Sequence, residues 1–298
     1  MKILITGASG FIGQALIKHL TSQNHQVLTL VRGVPTQKNE IAWQPSAQTI
    51  DAKRLNGLDA AIHLAGENIA GGRWSKDRKN RIRSSRIDGT HLLAKTLAQC
   101  PNPPSVLISA SAIGYYGDRG DDMLSEDSTP GTGFLPEVAL AWEEATQPAI
   151  KAGIRTIWIR IGMVLDAQGG ALAKMLLPFK FGLGGQIGSG AQYMSWITRD
   201  DLISAMCYLI QNNTLSGPFN AVSPHPVTNR EFAKTLGHVL KRPTFFPVPA
   251  FVAKMALGEM AEALLLSSTR VLPTRLQKAG FTFNYPTLES ALRHTCQQ

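Results

Sequence analysis

With 298 residues, of which 44% are hydrophobic and 17% charged, the chain can bury a sizeable core and has the composition of a soluble globular protein. It contains no run near the roughly 18 apolar residues that a membrane span needs, and no signal peptide is visible at the N-terminus. We therefore expect no membrane partner and a cytoplasmic location. Cys100, Cys207 and Cys296 are far apart and in no metal-like spacing, so we expect reduced thiols and no metal site.

The net charge of +9 is concentrated in one segment. Residues 73–86 carry seven lysines or arginines against Asp77 alone, which accounts for +6 of that total. A basic segment can bind nucleic acid, but Trp74 is its only aromatic residue, so we do not expect nucleic acid as a partner. The alternative is a helix whose charged face is solvated.

The first predicted element is a buried strand that ends in a glycine turn. Residues 3–5 are apolar, as expected of a strand covered on both faces of a parallel sheet. Gly7 permits a tight turn, Gly10 lets a diphosphate approach the backbone, and Gly13 lets the following helix lie close to the strand. The free N–H groups and the dipole of that helix would attract the diphosphate. The turn therefore predicts a nucleotide site, rather than a plain tight turn, formed by Gly7, Ser9, Gly10, Phe11, Ile12 and Gly13.

A second strand is predicted over residues 26–31, with Arg32 at its end. An NAD-preferring protein usually has an acidic residue at this point to hold the ribose 2′-hydroxyl, but no acid occurs here before Glu40. A guanidinium suits the 2′-phosphate of NADP. We therefore predict NADP as the cofactor, with Val31 and Arg32 among its contacts. The alternative is a solvated arginine at a strand end.

The rest of the chain alternates between strands and helices. Further strands are predicted over residues 41–43, 60–64, 106–109, 155–161 and 217–222. Helices are predicted over the basic segment with residues 87–99, over 135–148, 171–179 and 202–209, and in part of 249–298. Asp200 and Asp201 would cap the helix over 202–209, and Thr228 with Glu231 fits a capping box before another helix. This alternation predicts an α/β fold with a doubly wound parallel sheet of the Rossmann type.

The N-terminal TGASGFIG resembles the short-chain dehydrogenase/reductase superfamily, in its extended branch of sugar-nucleotide epimerases and reductases. Other segments are similar to an atypical subgroup, an uncharacterised NAD(P)-dependent epimerase-like family. They are residues 63–69, HLAGENI, residues 109–117, SASAIGYYG, residues 182–185, GLGG, residues 188–190, GSG, and Leu272-Pro273, Leu276 and Gly280-Phe281. The resemblance runs nearly end to end, and it is specific for fold and cofactor but weak for substrate.

The resemblance implies two lobes and further cofactor contacts. Residues 1–163 would form the NADP-binding Rossmann domain, with 196–224 returning to it, and residues 164–195 and 225–298 would form a smaller C-terminal substrate lobe. A small side chain after the fourth strand would avoid a clash in the cofactor groove. Arg86 stands where extended members commonly carry Asn, and it could reach the cofactor's phosphates or replace a structural hydrogen bond. The contacts predicted from these segments are Leu64, Ala65, Gly66, Arg86, Ser109 and Arg160.

Catalysis in the resembled superfamily uses a serine and a Tyr-x-x-x-Lys pair on a helix. Ser111 matches the serine, but no tyrosine of this chain is followed four residues later by lysine. The pair should fall within residues 134–144, which contain neither residue type. Tyr115 and Tyr116, just after Ser111, are the remaining candidates for moving a proton. The alternative is that these tyrosines pack or shape the substrate site.

The sequence therefore favours an NADP-dependent oxidoreductase or epimerase-like enzyme that acts on a small polar or anionic molecule, for example a nucleotide sugar. Tyr193 and Trp196 could stack on its base or sugar. The missing Tyr-x-x-x-Lys leaves a rival, in which the protein binds NADP without turnover as a sensor or regulator. A homodimer is one assembly that the sequence permits.

Overall fold

A mostly parallel sheet forms the centre of the structure, which is a computed structural model and describes residues 1–296. The strands are β1 (Lys2–Thr6), β2 (Gln26–Val31), β3 (Glu40–Gln44), β4 (Thr49–Ile50), β5 (Ala60–His63), β6 (Val106–Ala112), β7 (Met123–Leu124), β8 (Arg155–Ile161), β9 (Met163–Leu165), β10 (Tyr193–Met194), β11 (Trp196–Thr198), β12 (Gly217–Ala221), β13 (Val227–Thr228) and β14 (Arg270–Val271). The helices are α1 (Phe11–Ser22), α2 (Lys76–Ala98), α3 (Phe134–Glu144), α4 (Gln147–Lys151), α5 (Gly170–Lys180), α6 (Arg199–Gln211), α7 (Asn229–Leu240), α8 (Ala250–Leu257), α9 (Glu259–Ala261), α10 (Thr274–Lys278) and α11 (Leu288–Cys296). No helix within the described residues combines the length and the apolar character needed to cross a bilayer.

Eight strands form the central sheet in the order β12-β8-β6-β5-β1-β2-β3-β4. All neighbouring pairs are parallel except β3 and β4. From β1 the chain moves outward to β2 and β3 on one side, and it then returns at β5 and continues to β6, β8 and β12 on the other. The strand order thus reverses between β1 and β5, and open α/β sheets bind ligands outside the carboxyl ends of their strands at such a point. The predicted Rossmann-type sheet is confirmed.

The sheet is covered by helices on both faces. Ile3 and Ile5 pack on one face in a cluster that includes Leu16 of α1 and Leu202 of α6. Leu4 points to the other face and packs in a cluster with residues of α2 and α4. The apolar run at residues 3–5 is therefore buried from both sides, because successive side chains of a strand point to opposite faces.

A second group of elements surrounds its own small core. Strand β9 pairs in parallel with β11, and β10 pairs with β13 in the antiparallel sense. Helices α5, α7 and α11 contribute to a hydrophobic cluster that contains Phe232 and Trp196, both fully buried. Trp196 therefore belongs to the core and has no face free to stack on a base or sugar.

The start of α6 differs from the sequence prediction. Thr198 caps the helix, since its hydroxyl accepts the N–H of Asp201 at 3.1 Å, and Asp200 and Asp201 lie in the first turn. Asp201 instead accepts the backbone N–H groups of Asn284 and Tyr285, which fastens the C-terminal segment to α6. The capping box predicted for Thr228 and Glu231 is confirmed at the start of α7.

The helix predicted over residues 135–148 is two helices, α3 and α4, with a break after Glu144. Pro148 lies in the first turn of α4. Proline lacks the N–H that an interior helical position must donate, so it is tolerated only where no such donor is needed.

Candidate cofactor and active site

The turn between β1 and α1 forms an open cradle for an anion. Gly10 caps α1 without a side-chain hydrogen bond, and the first turn of α1 carries no acidic residue. The backbone of Gly7 has a φ of +70°, and a β-carbon there would lie 2.7 Å from the carbonyl carbon of Leu64. A β-carbon on Gly13 would lie 2.3 Å from the Gly7 oxygen, so α1 can approach β1 this closely only with glycine. The unsatisfied N–H groups at this helix start are suited to a phosphate.

Thr6 ties the ends of β1 and β5 together beside this turn. Its hydroxyl accepts the N–H groups of Leu64 and Ala65, each at 3.1 Å, and lies 2.7 Å from Nδ1 of His63. Because both lone pairs of the hydroxyl are used, its proton must go to Nδ1, which places the imidazole proton on Nε2. Burial lowers the pKa of His63 to about 4, so the ring is neutral at physiological pH. Leu64, Ala65 and the following Gly66 are thereby held at the switch point of the sheet.

Arg32 lies at the carboxyl end of β2 with its side chain exposed. Its guanidinium makes no hydrogen bond or ion pair with any residue in the 1–296 range. Gln44 donates to its backbone carbonyl at 3.2 Å. Val31 ends the same strand and is half-buried. The guanidinium is thus free to meet an anion beside the β1–α1 turn.

Arg86 of α2 reaches the loop that follows β5. Its Nη1 donates to the carbonyls of Glu67 and Ile82 at 3.0 and 3.1 Å, and its guanidinium lies 4.9 Å from the Trp142 ring centroid. A β-carbon on Gly66 would come within 3.3 Å of the Arg86 Cζ atom. Burial lowers the pKa of Arg86 to about 10, so the group remains cationic at neutral pH. Arg86 therefore places positive charge beside Gly66 and holds the loop there through the carbonyl of Glu67.

A buried polar cluster lies at the carboxyl ends of β6 and β8, where Ser111 and Arg160 are direct neighbours across the two strands. Ser111 donates to Oε1 of Glu143 at 2.7 Å. Arg160 binds the same carboxylate in bidentate fashion, from Nε at 2.8 Å and from Nη2 at 2.9 Å. Burial alone would lower the pKa of Arg160, but the hydrogen bonds and the charge of Glu143 raise it, so the guanidinium remains cationic.

The two consecutive tyrosines meet this cluster differently. The Tyr116 ring is fully buried, and its hydroxyl donates to Asn220 at 2.7 Å and accepts from Arg160 at 2.9 Å. Burial raises the pKa of Tyr116 to about 12. The Tyr115 ring lies under the Arg160 guanidinium, 3.5 Å from ring centroid to Cζ, and is 8% exposed. The Tyr115 hydroxyl makes no hydrogen bond with the described residues and is not a fully buried atom.

Glu143 is the residue of this cluster that the sequence did not reveal. It lies on α3, the helix over residues 134–144 on which the Tyr-x-x-x-Lys pair was sought. A carboxylate on a helix is common and usually solvated, so Glu143 carried no signal that separated it from Glu144. Only the fold brings it to within hydrogen-bonding distance of Ser111 and Arg160.

Two of the other residues considered from sequence make no hydrogen bond with Ser111, Glu143 or Arg160. Ser109 is fully buried within β6, and its hydroxyl lies 3.4 Å from the carbonyl of Ala110. Tyr193 stacks with Arg270, whose Cζ lies 4.6 Å from the ring centroid. The buried Nε of Arg270 has no hydrogen-bond partner among residues 1–296, and the guanidinium forms no ion pair with them.

The start of α5 lies against Phe11, beside the turn between β1 and α1. A β-carbon on Gly169 would lie 2.9 Å from the ring of Phe11, the first residue of α1, and one on Gly170 would lie 3.3 Å from it. Gly170 also has a φ of +68°, which favours glycine. These two glycines let the start of α5 rest on the start of α1.

The chain matches two sequence families. Residues 3–222 match the NAD dependent epimerase/dehydratase family, and residues 248–295 match a domain of unknown function. An epimerase family protein of Mycobacterium leprae is 41% identical over 292 residues, covering 98% of this chain and 94% of that protein. The epimerase family protein YfhF of Bacillus subtilis is 40% identical over 297 residues, covering 98% and 97% of the two chains.

Solved structures show the same fold. The crystal structure of the human epimerase family protein SDR39U1 with NADPH aligns with a TM-score of 0.92 at 33% identity, covering 100% of both chains. A UDP-N-acetylglucosamine 4-epimerase from Bacillus cereus aligns with a TM-score of 0.78 at 19% identity, covering 99% of this chain and 98% of that one. The latter similarity concerns the fold alone.

Proposed function

Because the chain belongs to the NAD dependent epimerase/dehydratase family, we propose that it is an NADP-dependent oxidoreductase or epimerase-like enzyme for a small polar or anionic substrate. The observation that carries the proposal is the Tyr115 hydroxyl, which has no hydrogen-bond partner among the described residues, although its ring packs on Arg160 of the buried Ser111–Glu143–Arg160 cluster.

The residues present fit NADP. The free N–H groups of α1 at Gly10 would hold the diphosphate, and Arg32 would hold the 2′-phosphate. The human relative was crystallised with NADPH, which supports this choice. When bound, the cofactor would supply or accept a hydride at its nicotinamide.

Tyr115 is the proposed proton donor for a carbonyl substrate, with the proton returning to it in the reverse direction. Ser111 already gives its own proton to Glu143 at 2.7 Å, so its oxygen can only accept a hydrogen bond from a substrate hydroxyl. Arg160 lies over the Tyr115 ring and would stabilise negative charge that develops on the phenol. Glu143 fixes Arg160 and Ser111 and would act as a positioning residue.

We infer from Arg270 that the substrate carries an anionic group. Its guanidinium stacks on Tyr193, forms no ion pair within residues 1–296 and has one buried N–H without an acceptor. Thr269, the preceding residue, donates to the Gly117 carbonyl at 3.2 Å, directly after the two tyrosines. A carboxylate or phosphate of the substrate would satisfy the unpaired donor.

The second candidate is an NADP-binding sensor without turnover. The absence of Tyr-x-x-x-Lys favours it, because the usual proton relay of the superfamily is missing from the sequence.

The experiment measures NADPH oxidation with a panel of 4-keto nucleotide sugars and small oxoacids, for the wild type and for Tyr115→Phe and Ser111→Ala. We expect both variants to lose turnover while they bind NADPH as the wild type does. Turnover that survives Tyr115→Phe unchanged would remove Tyr115 from the chemistry. Tight NADPH binding with no oxidation by any carbonyl, and no deuterium exchange into any sugar, would favour the sensor.

A further inference from the structure

Six large apolar side chains between residues 181 and 255 are exposed on the surface. Phe181, Phe245 and Phe251 are 73%, 81% and 64% exposed. Leu183, Phe246 and Met255 are each more than half exposed as well. We call these six residues the phenylalanine face. Single exposed apolar residues are ordinary, but a contiguous group of this size marks an interaction surface.

The two chain segments that carry the phenylalanine face run side by side. The N–H of Gly188 donates to the carbonyl of Val248, and the N–H of Val248 donates to that of Gln186, both at 2.8 Å. At the other end, Arg242 donates from Nε to the carbonyl of Lys180 at 2.9 Å. The loop after α5 and the segment before α8 are thereby joined at both ends.

The apolar side chains of α8 do not pack into the protein core. Helix α8 has the sequence AFVAKMAL, and only Ala253 of it is buried. Phe251 and Met255 are one helical turn apart and therefore project from the same side of the helix. An apolar helix that buries a single alanine within its own chain lacks the covering that such a sequence requires.

The charges around the phenylalanine face are mostly positive, although Lys254 is paired with Glu262 at 3.2 Å. Residues 171–183 and 240–258 contain five lysines or arginines and no aspartate or glutamate. They are Lys174, Lys180, Lys241, Arg242 and Lys254, all exposed. A second copy of this chain seated on the face would bring two such cationic sets together, which disfavours self-association.

We propose that the phenylalanine face docks on an anionic phospholipid surface. Exposed phenylalanines bordered by cations are what an interfacial helix presents to headgroups and the acyl boundary. The lysines and arginines would be attracted to the negative surface potential, and the apolar side chains would enter the boundary. The proposal is independent of the enzymatic one. It revises the expectation of no membrane partner, which rested only on the absence of an apolar run long enough to span a membrane.

The test is sedimentation of the full-length protein with vesicles. One set consists of phosphatidylcholine alone, and the other of equal parts phosphatidylcholine and phosphatidylserine. We expect binding to the second set only, weakened by added salt because the cations are exposed. The double variant Phe181→Ser with Phe251→Ser should bind at least roughly tenfold more weakly. Lys180→Gln should weaken binding roughly fivefold.

The matched control is Met123→Ser, which removes an apolar residue of similar exposure, 66%, outside the face. It should bind vesicles as the wild type does. Thermal unfolding and NADPH binding of each variant show that the fold is intact. The proposal is overturned if the wild type binds neither vesicle set, or if the phenylalanine variant binds as well as the control. It is also overturned if sedimentation velocity shows a dimer that dissociates in the phenylalanine variant while vesicles are not bound.

Discussion

The guanidinium of Arg160 lies over the ring of Tyr115, with 3.5 Å between Cζ and the ring centroid, and it leaves the Tyr115 hydroxyl free. The same guanidinium donates to the hydroxyl of Tyr116 at 2.9 Å. One arginine therefore contacts two consecutive tyrosines through different parts of their side chains. Removal of the Tyr116 hydroxyl should therefore lower the stability of the protein, whereas removal of the Tyr115 hydroxyl should lower turnover.

Tyr116→Phe should destabilise the protein, and Tyr115→Phe should not. Loss of the Tyr116 hydroxyl leaves Asn220 without its donor in a buried site, which costs about 1–3 kcal/mol of unfolding free energy. Loss of the Tyr115 hydroxyl removes no hydrogen bond. Because the Tyr115 hydroxyl is the proposed proton donor, Tyr115→Phe should instead lower turnover by about 10²–10⁴-fold. Urea denaturation of both variants measures the first effect, and equal stabilities would show that the Tyr116 contacts do not matter.

Arg32→Ala should abolish a preference for NADP over NAD. A hydrogen bond to a charged group is worth about 1.5–3 kcal/mol, which corresponds to at least tenfold in affinity. Titration of NADP and NAD into the wild type and into Arg32→Ala measures this preference. Arg81→Ala, which removes an exposed arginine of α2, is the control and should leave both affinities unchanged. Equal affinities of the wild type for NADP and NAD would contradict the assignment.

Arg86→Ala should weaken NADPH binding, because Arg86 holds the carbonyl of Glu67 at 3.0 Å beside the groove and carries positive charge there. Lys79→Ala should change it little, since that lysine pairs with Glu259 at 2.6 Å on the outer part of α2. A comparable loss in both variants would mean that the helix acts through its overall charge.

Glu143→Gln should destabilise the protein strongly. Both partners of the Glu143–Arg160 pair are almost completely buried, and a buried charge left without its partner typically costs about 3–5 kcal/mol. Combining Glu143→Leu with Arg160→Met should restore part of that loss, since no charge then remains buried. Chemical denaturation of Glu143→Leu, Arg160→Met and the double variant tests this. Losses of unfolding free energy that are strictly additive would argue against a coupled pair.

The stability of the protein should fall between neutral pH and pH 4 because of His63. Burial lowers the pKa of His63 from 6.5 to about 4. Between these two pH values His63 is therefore protonated in the unfolded chain and neutral in the folded chain. Stability is therefore full above the unfolded pKa and decreases as the pH falls, by about 3 kcal/mol in all. His63→Asn should flatten the pH dependence, whereas His91→Asn, at an exposed position, should retain it. Urea midpoints across the pH range provide the comparison.

The sheet and the cofactor cradle could be predicted because their signals are local. Gly7, Gly10 and Gly13 follow an apolar strand directly, and the backbone itself requires them at Gly7 and Gly13. The polar cluster could be predicted only in part. Ser111 and Arg160 end consecutive strands of the sheet, but Glu143 enters from a helix whose orientation depends on tertiary packing.

The cap of α6 and the shortest strands could not be predicted from local sequence either. Aspartates before an apolar run suggested a cap, yet Thr198 lies one position before the helix and takes the role. The short pairs β7 with β14 and β10 with β13 have two residues in each strand and no periodicity to detect. Their pairing depends on residues more than a hundred positions apart in the first case, which no local pattern encodes.

The contact of Gly169 and Gly170 with Phe11 has a kinetic consequence. Phe11 is the first residue of the helix that we propose binds the diphosphate, so we expect a dinucleotide to enter and leave there only when this contact opens. We expect release of a substrate from the proposed site at Tyr115 to leave that contact closed. We therefore expect an ordered sequence, in which the dinucleotide arrives first and departs last, and a bulky residue in place of Gly169 should hasten its exchange.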